Sequence, residues 1–548
     1  MNKLRTKFLF VSGLSLFLFS NLTNVFSAER DYGAEKFEKI NKKFNTFQNP
    51  KCEGIIPYKN AQNRTMAVTL RAIDSLANSL SMGNDFQTPI SKDPTTSNMA
   101  LVMRGSHEVT EPDFAKSNSK NNLFLKKSTD DGVTWSTKEL IYSNEDFNYG
   151  QARYPSCFVL NKGTSSAPDI EYLYTFSLVI ESTGQWPGFA TGLSGSLGNS
   201  SVPQETFSVD GKTYKWGTSF ENTTTGQPGW SIADSRMAGW FDSKTSTNIF
   251  CVGPVSVPPA GDVNDNSAIG YRLINEDLAT TYETIPAQWK SSVFGPTTSQ
   301  YAKTSAPVNF RRTTDGKMYM AVFGNFGPTN ELTTGKNAFS VSMSNDNGTT
   351  WSDMEIFPWD YIKAYAASAS STVDLDSLNL PYWSNDFIVH DNGDYSFYTV
   401  LAEFTSAKPR LERFSQIIEL YKENGEFGVR LVGADLPHTW VPYTDNTGAQ
   451  AGNAKSYELQ VSKTADGQTI VAKWVELMGV TWPTDDSFQF MTSDIFVSKR
   501  NATENTWTPK SNITNDDMLD RCVLLPDVLP NDLTKVPIFT VQTKGAPD

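Results

Sequence analysis

The sequence predicts an all-β chain of repeated antiparallel hairpins, and three observations carry that prediction. Short apolar-alternating runs return along most of the chain, each closed by a polar turn that contains glycine. One octapeptide occurs twice almost unchanged, and long helical heptads are absent. A composition with 12% aromatic residues, 36 Gly and 28 Pro suits many short strands and turns.

The hairpins are clearest in "VNFRRTTDGKMYMAVF" from 308, "FIVHDNGDYSFYTVLAEF" from 387 and "YELQVSKTADGQTIVAKWVEL" from 457. Asp315-Gly316, Asp391-Asn392-Gly393 and Asp466-Gly467 mark their turns, because these residues tolerate the backbone angles that a tight reversal needs. Weaker versions start near 155 and 248, and a further unit starts near 97. Two stretches depart from the pattern: 182–247, rich in Gly, Ser and Thr, reads as a long loop insertion, and 29–96, with the helix-like "GAEKFEKINKKF", reads as an N-terminal extension.

The octapeptide is "STDDGVTW" at 128–135 and "SNDNGTTW" at 344–351. Gly132 and Gly348 take positive φ at no steric cost, and Asp130 and Asp346 can accept bonds from the backbone N–H groups of their own turn. Ser128 and Ser344 open the two turns, Thr134 and Thr350 lead into the next strand, and Trp135 and Trp351 supply an apolar plate. A carboxylate engaged by its own turn is a poor acid or base, so the expectation is a structural device between two strands. "SKRNATENTW" at 498–507 keeps Ser498 and Trp507 but neither the Asp nor the Gly.

The octapeptide resembles the Asp box, Ser-x-Asp-x-Gly-x-Thr-Trp, of sialidases and other secreted β-propellers, and both copies match its five fixed positions. The resemblance implies a single β-propeller of BNR-repeat type in the sialidase superfamily, spanning 97–548. Units starting near 97, 155, 248, 308, 387 and 457 give six blades. The C-terminal stretch 521–543 is then expected to close the ring by pairing with strands near 97–104, which removes a free sheet edge. "ARYPSCFVLNKGTSSAPDIEYLYTFSLV" and "GQWPGF" are similar to segments of uncharacterised exported bacterial Asp-box proteins.

Residues 1–28 read as a secretory signal, with Lys3, Arg5 and Lys7 ahead of "FLFVSGLSLFLF" and the small residues Ser27 and Ala28 at the expected cleavage point. That run is short for a membrane span and no later run replaces it, so the mature chain is expected to be secreted, extracellular or held at the cell surface by partners. A net charge of −13 argues against nucleic acid and anionic membrane as partners. Cys52, Cys157, Cys251 and Cys522 lie too far apart for a zinc cluster, and their pairing is open between disulfides and buried thiols. With His107, His390 and His438 scattered, no His-based metal site is expected. Asp262, Asn264 and Asn266 have the spacing of a calcium-loop start, but Ser267 replaces the loop glycine and Leu273 stands where a bidentate carboxylate belongs. An ordinary polar turn is the simpler reading there, and no cofactor is expected.

The resemblance also states what sialidase chemistry would need: three arginines around a sugar carboxylate, a Tyr–Glu nucleophile pair and an Asp acid/base. Where the first arginine of the family would stand, in "GIIP", this chain has Ile55. The nearest substitute is Arg153 in "ARYP", which either lines a pocket or pairs with an acid at a strand start, the second being the simpler reading. Arg104, Arg236, Arg272, Arg311 and Arg410 also lie in strand-like settings. Trp186, with Trp216, Trp230 and Trp240, is a candidate for stacking on sugars. The expected function is an exported, non-catalytic propeller binding glycan or protein partners at the cell surface; the alternative is an exo-acting glycoside hydrolase of sialidase type.

Overall fold

The structure, a computed structural model, describes residues 6–12, 55–56, 69–76, 88–105, 122–143, 151–180, 185–193, 202–204, 206–209, 212–216, 236–242, 246–256, 268–274, 280–284, 286, 308–313, 315–324, 336–381, 384–405, 408–409, 414–433, 436, 457–478, 492–515 and 519–543. These residues form six sheets, and the pairings within each are almost all antiparallel. The first runs Ile90–Lys92, Met99–Gly105, Asn122–Ser128, Glu139–Tyr142; the second begins with Gln151–Asn161 and Ile170–Ile180; the fourth runs Val308–Arg312, Met318–Gly324, Ala338–Ser344, Glu355–Ile356. Third and fifth sheets, of six strands each, are centred on Ser246–Ser256 and Tyr395–Thr405. A ten-stranded sheet takes Gln460–Thr464, Thr469–Met478 and Thr492–Asn501 on to Leu519–Leu524 and Ile538–Thr543, then to the N-terminal strands Thr6–Ser12, Thr69–Leu76 and Ile55–Ile56.

Contacts between sheets run in sequence order through one strand of each. Ile90–Lys92 meets Gln151–Asn161, which meets Arg236–Asp242; next come Val308–Arg312, Asp386–Val389 and Gln460–Thr464. Val528–Leu529 pairs in parallel with Gln460–Thr464 and also touches Ile90–Lys92, so the series returns to its start. This is an all-β propeller.

The packing explains why the strands read as they do. A sheet stacked between two neighbours has both faces buried, so its central strands lose the polar half of the alternation. In "MALVM", Met99, Leu101 and Met103 pack with Phe539 and Leu524 on one side, while Ala100 and Val102 pack with Val159 and Tyr174 on the other. Likewise Phe397 and Leu401 join the core shared with the fourth sheet, and Tyr398, Val400 and Ala402 join the core shared with the sixth. Each large apolar side chain buried in this way contributes about 1.5–3 kcal/mol. The helix Trp359–Ala369 is short; Trp359, Ile362 and Ala366 form its buried stripe, and Trp359 donates through Nε1 to the Asn337 carbonyl at 3.1 Å.

Four features differ from the sequence reading. The region expected as a loop, 182–247, carries strands Gln185–Leu193, Val202–Gln204, Thr206–Val209, Lys212–Trp216 and Arg236–Asp242; threonine and tryptophan favour strands and outweigh the intervening glycines. Ile90–Lys92, inside the stretch expected as an extension, is the starting strand of the first sheet. Ile538–Thr543 does not pair with 97–104: it pairs with Thr6–Ser12 and Leu519–Leu524, and its Phe539 packs against Met99, Leu101 and Met103 of the first sheet. The terminal strands thus make a further strand group beyond the six hairpin units, and it includes part of the apolar run that reads as a signal, a run whose Phe and Val residues are equally good strand formers. The helix-like 33–44 lies outside the described residues.

Candidate functional site

The strands that meet around the ring carry a linked set of polar groups. Arg311, on Val308–Arg312, donates through Nη2 to Asp386 Oδ1 at 3.0 Å, bridging the fourth and fifth sheets. The Phe387 N–H donates to the same oxygen at 2.8 Å, and Oδ2 accepts from the Val461 N–H on the next strand at 2.8 Å. One carboxylate therefore ties three sheets together. Lys463 donates its Nζ to the Val389 carbonyl, repeating the link one turn further along. Ser384 Oγ accepts from the Tyr457 N–H at 2.7 Å, and Gln460 Oε1 accepts from the Leu525 N–H at 2.7 Å.

Two side chains near this set carry buried atoms without a hydrogen-bond partner among the described residues. Asn309 shares the Arg311 face of its strand by alternation. It is fully buried, and neither atom of its amide has a hydrogen-bond partner among the described residues. Asp527, just before Val528–Leu529, is half-buried as a residue, but its Oδ1 is sealed and unpaired. Burial pushes the Asp527 carboxyl above its ordinary value, against the pull of Arg311. Burial raises the thiol of Cys157, the Asp527 charge adds to that rise, and the thiol donates to the Pro89 carbonyl at 3.0 Å.

A second buried group lies further out, between the fifth and sixth sheets. Glu419 Oε2 accepts from Arg500 Nε at 3.2 Å and from Trp507 Nε1 at 2.9 Å. Its Oε1 accepts from Arg500 Nη2 at 2.5 Å, Ser396 Oγ at 2.8 Å and Tyr398 Oη at 3.1 Å. Arg430 forks onto Glu423, with Nη1 to Oε1 at 2.7 Å, and stacks on Tyr421. Burial works to raise the Glu419 carboxyl, but the Arg500 and Arg430 charges and the Trp507 bond outweigh it and hold it below its ordinary value. A Tyr–Glu contact is present here, but it is sealed between sheets and saturated with donors, so it offers no nucleophile.

The two octapeptides adopt one geometry. Thr134 N–H donates to Asp130 Oδ1 at 2.8 Å and Thr134 Oγ1 to Oδ2 at 2.6 Å; Thr350 makes the same bonds to Asp346 at 2.8 and 2.6 Å. Ser128 Oγ accepts from the Gly132 N–H at 2.9 Å, and Ser344 Oγ from the Gly348 N–H at 2.8 Å. Trp135 and Trp351 donate through Nε1 to the Gly132 and Gly348 carbonyls at 2.9 and 3.1 Å. Gly132 and Gly348 have φ of 83° and 80°, and Asp131 and Asn347, in the fourth position, are left-handed at 57° and 56°. The Thr350 bonds hold the Asp346 carboxyl below its ordinary value; Asp130 is lowered likewise, its partial burial outweighed by bonds from Thr134 and Ser128.

The other sequence candidates are described by their strand positions alone. Arg153 lies on Gln151–Asn161 opposite Ser177, and Trp186 on Gln185–Leu193. Ile55 pairs with Arg71. Trp216 and Trp240 lie on strands of the third sheet, whereas Asp262, Asn264, Asn266 and Trp230 lie outside the described residues. Among the described residues no three His, Cys, Asp or Glu side chains gather as a metal site, and no helix is long and apolar enough to cross a membrane. Asp386, Asn309, Asp527 and Glu419 were not singled out by sequence. Arg311 was, but nothing in the sequence ties it to a carboxylate so far along the chain.

With the fold a propeller, comparison with known proteins adds the following. No protein-family description and no curated protein matches the sequence. Among solved structures, the chain is similar to a polysaccharide lyase, Uly1, at 10% identity over 89% of this chain and 94% of that one, with a TM-score of 0.40. A thermostable family-43 glycoside hydrolase is similar at 13% identity over 64% and 93%, with a TM-score of 0.30. The phage phi92 endosialidase is similar at 11% identity over 84% and 68%, with a TM-score of 0.32.

Proposed function

We propose that this protein is an exported propeller that binds a glycan or protein partner at the cell surface without cleaving it. The observation that carries this reading is the state of the guanidinium groups. Recognition of a sugar carboxylate by a sialidase-type site needs guanidinium forks free to meet it. Among the described side chains, Arg311 is engaged by Asp386, Arg500 by Glu419 and Arg430 by Glu423. The chain as a whole carries −13. Binding finds support in Asn309 and the Asp527 Oδ1 atom, since buried polar groups are almost always paired. Both an amide and a raised carboxyl suit hydroxyl partners, which donate and accept.

The test uses the processed, secreted protein. Against a fluorogenic sialoside it is expected to show no turnover above a buffer blank, while a glycan array or a pull-down of surface proteins yields a ligand whose affinity falls in Asn309→Ala. Sialoside turnover that disappears in Arg153→Ala defeats this reading in favour of the glycoside hydrolase.

A further inference from the structure

At four sheets the rim of the ring ends in a short strand. Glu139–Tyr142 ends the first with four residues and Val202–Gln204 the second with three, while Glu355–Ile356 ends the fourth and Ser511–Asn512 borders Thr492–Asn501 with two each. Short edges give a stray strand little to pair with. The fifth sheet ends differently, in Glu426–Gly433, eight residues long and paired, among the described residues, with Ser415–Glu423 alone.

The turn before this strand settles which of its backbone groups face outwards. Asn424 and Gly425 have φ of 50° and 85°, the two-residue reversal whose flanking residues, here Glu423 and Glu426, exchange both of their bonds. From that pair the pattern alternates. Gly428 opposite Tyr421 and Arg430 opposite Glu419 bond inwards, so Phe427, Val429 and Leu431 hold their N–H and C=O groups towards the free edge. The side chains of these three share one face. Phe427 and Val429 pack on the core shared with the fourth sheet, Tyr361 lies beside Phe427 with ring centroids 6.0 Å apart, and Leu431 and Tyr361 are each 41% exposed. The strand has neither lysine nor proline to protect its edge, and its one cation, Arg430, is turned to the other face and forks onto Glu423.

We propose that this edge pairs with the same edge of a second copy of the chain, antiparallel about a two-fold axis through Val429. In that register Phe427 stands opposite Leu431 of the partner subunit, Val429 opposite its own mate, and the outward N–H and C=O groups of all three residues are satisfied. The aromatic–aliphatic pair forms twice and covers Leu431 in both copies. A slip of one residue would set outward groups against inward ones. Charge fits the same register: Glu426 stands opposite Val432 of the partner subunit and diagonal to Arg430 of the partner subunit, on one face, and no like charges meet. Arg430 itself stands opposite Gly428 of the partner subunit, which has no side chain to obstruct it. A chain that carries −13 repels its copy, so the pair is weak and tightens as salt screens that charge. It carries the proposed binding site in duplicate, which raises avidity for a repeating ligand.

The full chain is followed by sedimentation as its concentration rises, and its mass is expected to climb reversibly towards twice the monomer, more readily with added salt. Leu431→Lys sets a charge opposite Phe427 in both halves of the pair and should weaken association at least about tenfold, while the dilute variant melts as wild type does. Disulfides formed in a mild glutathione buffer read the register, against the wild type as blank. Val429→Cys meets its mate on the two-fold with about 5.5 Å between Cα atoms, within disulfide reach, and should link two chains. Leu431 is the more exposed position, but two copies of Leu431→Cys would lie four residues apart along the pair, about 14 Å, and should link far more slowly. A monomer at every concentration, association that ignores Leu431→Lys, or faster linking through Leu431→Cys than through Val429→Cys overturns the pairing. So does recovery of a different protein with its own strand on this edge.

Discussion

Three turns at the ends of hairpins solve one problem in two ways. The turns at 128–135 and 344–351 close on themselves: an aspartate takes two bonds from its own threonine, and a tryptophan donates to the carbonyl of its own glycine. The turn at 498–507 lacks both the aspartate and the glycine, and its tryptophan donates instead to Glu419 in the neighbouring sheet. Ser498 Oγ no longer caps a glycine N–H but donates to the Thr508 carbonyl at 2.6 Å, and Arg500 Nη1 takes over as donor to the turn carbonyls of Asn501, Ala502 and Glu504. Local closure depends on neighbours in sequence, and the first turn adds to it bonds from Asp131 to Ser97 and Lys92. Long-range closure welds one sheet to the next, and its weak point is a single buried carboxylate.

Breaking that carboxylate should have the largest effect. Glu419→Ala leaves Arg500 buried without its partner and removes the Trp507 bond, for an expected loss of about 3–5 kcal/mol, measured by thermal or denaturant unfolding. The pH dependence has a definite sign. Because the folded Glu419 lies below its ordinary value, its contribution is present above the unfolded carboxylate range and is lost as pH falls through the folded value. A Glu419→Ala variant as stable as wild type would mean that the contact is incidental to the joint between the sheets.

The next effect tests the same region from the other side. His390, at the hairpin turn next to this network, is lowered to about 4, first by burial and then by Lys463 and Arg500. It stays neutral in the fold at pH values where the unfolded chain binds a proton. Stability should therefore fall as pH drops from 6.5 towards 4, by up to about 3 kcal/mol, and be level for this group above 6.5. In His390→Asn that slope should disappear from the difference between stability curves. The octapeptide turns contain no histidine, so Asp346→Ala should leave the slope intact.

How far this contrast could be read from the sequence depends on the distance over which each device acts. The octapeptide turns were legible because the bonds of their third-position aspartate, their glycine and their indole N–H stay within the eight residues; even the left-handed fourth position shows as Asp131 and Asn347, although the bonds of Asp131 to Ser97 and Lys92 do not show. The stacking of sheets was legible in "MALVM", where both faces are apolar. The links Arg311–Asp386 and Glu419–Arg500 were not, because they join residues 75 and 81 positions apart that have no motif around them. The strands within 182–247 were hidden by a Gly, Ser and Thr content that resembles a loop. The helix Trp359–Ala369 follows Pro358 and carries Asp360 in its first turn, signals of a helix start that a reading tuned to hairpins passed over.

For the self-closing turns a smaller loss is expected. Asp346→Ala removes the bonds from Thr350 and Ser344 and should cost about 1–3 kcal/mol, and Asp130→Ala the same, both read as a shift in melting temperature. Ligand binding should survive both. A variant that melts normally but no longer binds its partner would convert these turns from scaffold into site.

The smallest effect separates the two designs most cleanly, because it changes the same atom in both. Trp351→Phe deletes a bond from Nε1 to a neutral carbonyl at the protein's edge, and a net hydrogen bond of that kind is worth about 0.5–1.5 kcal/mol. Trp507→Phe deletes a bond from Nε1 to an ionised carboxylate that is fully buried, where about 1.5–3 kcal/mol is expected. Ring packing is largely kept in each, since Phe310 stands beside Trp351 and Tyr398 beside Trp507 with centroids 6.4 and 5.9 Å away. The comparison is made sharper in the Glu419→Gln background. There Trp507→Phe should lose much of its additional cost, because the acceptor no longer carries charge, whereas Trp351→Phe should be unchanged, the two sites sharing no partner. Equal costs for the two substitutions in both backgrounds would show that the tryptophans act as apolar plates alone, and that the 498–507 turn is held by Arg500 rather than by its indole.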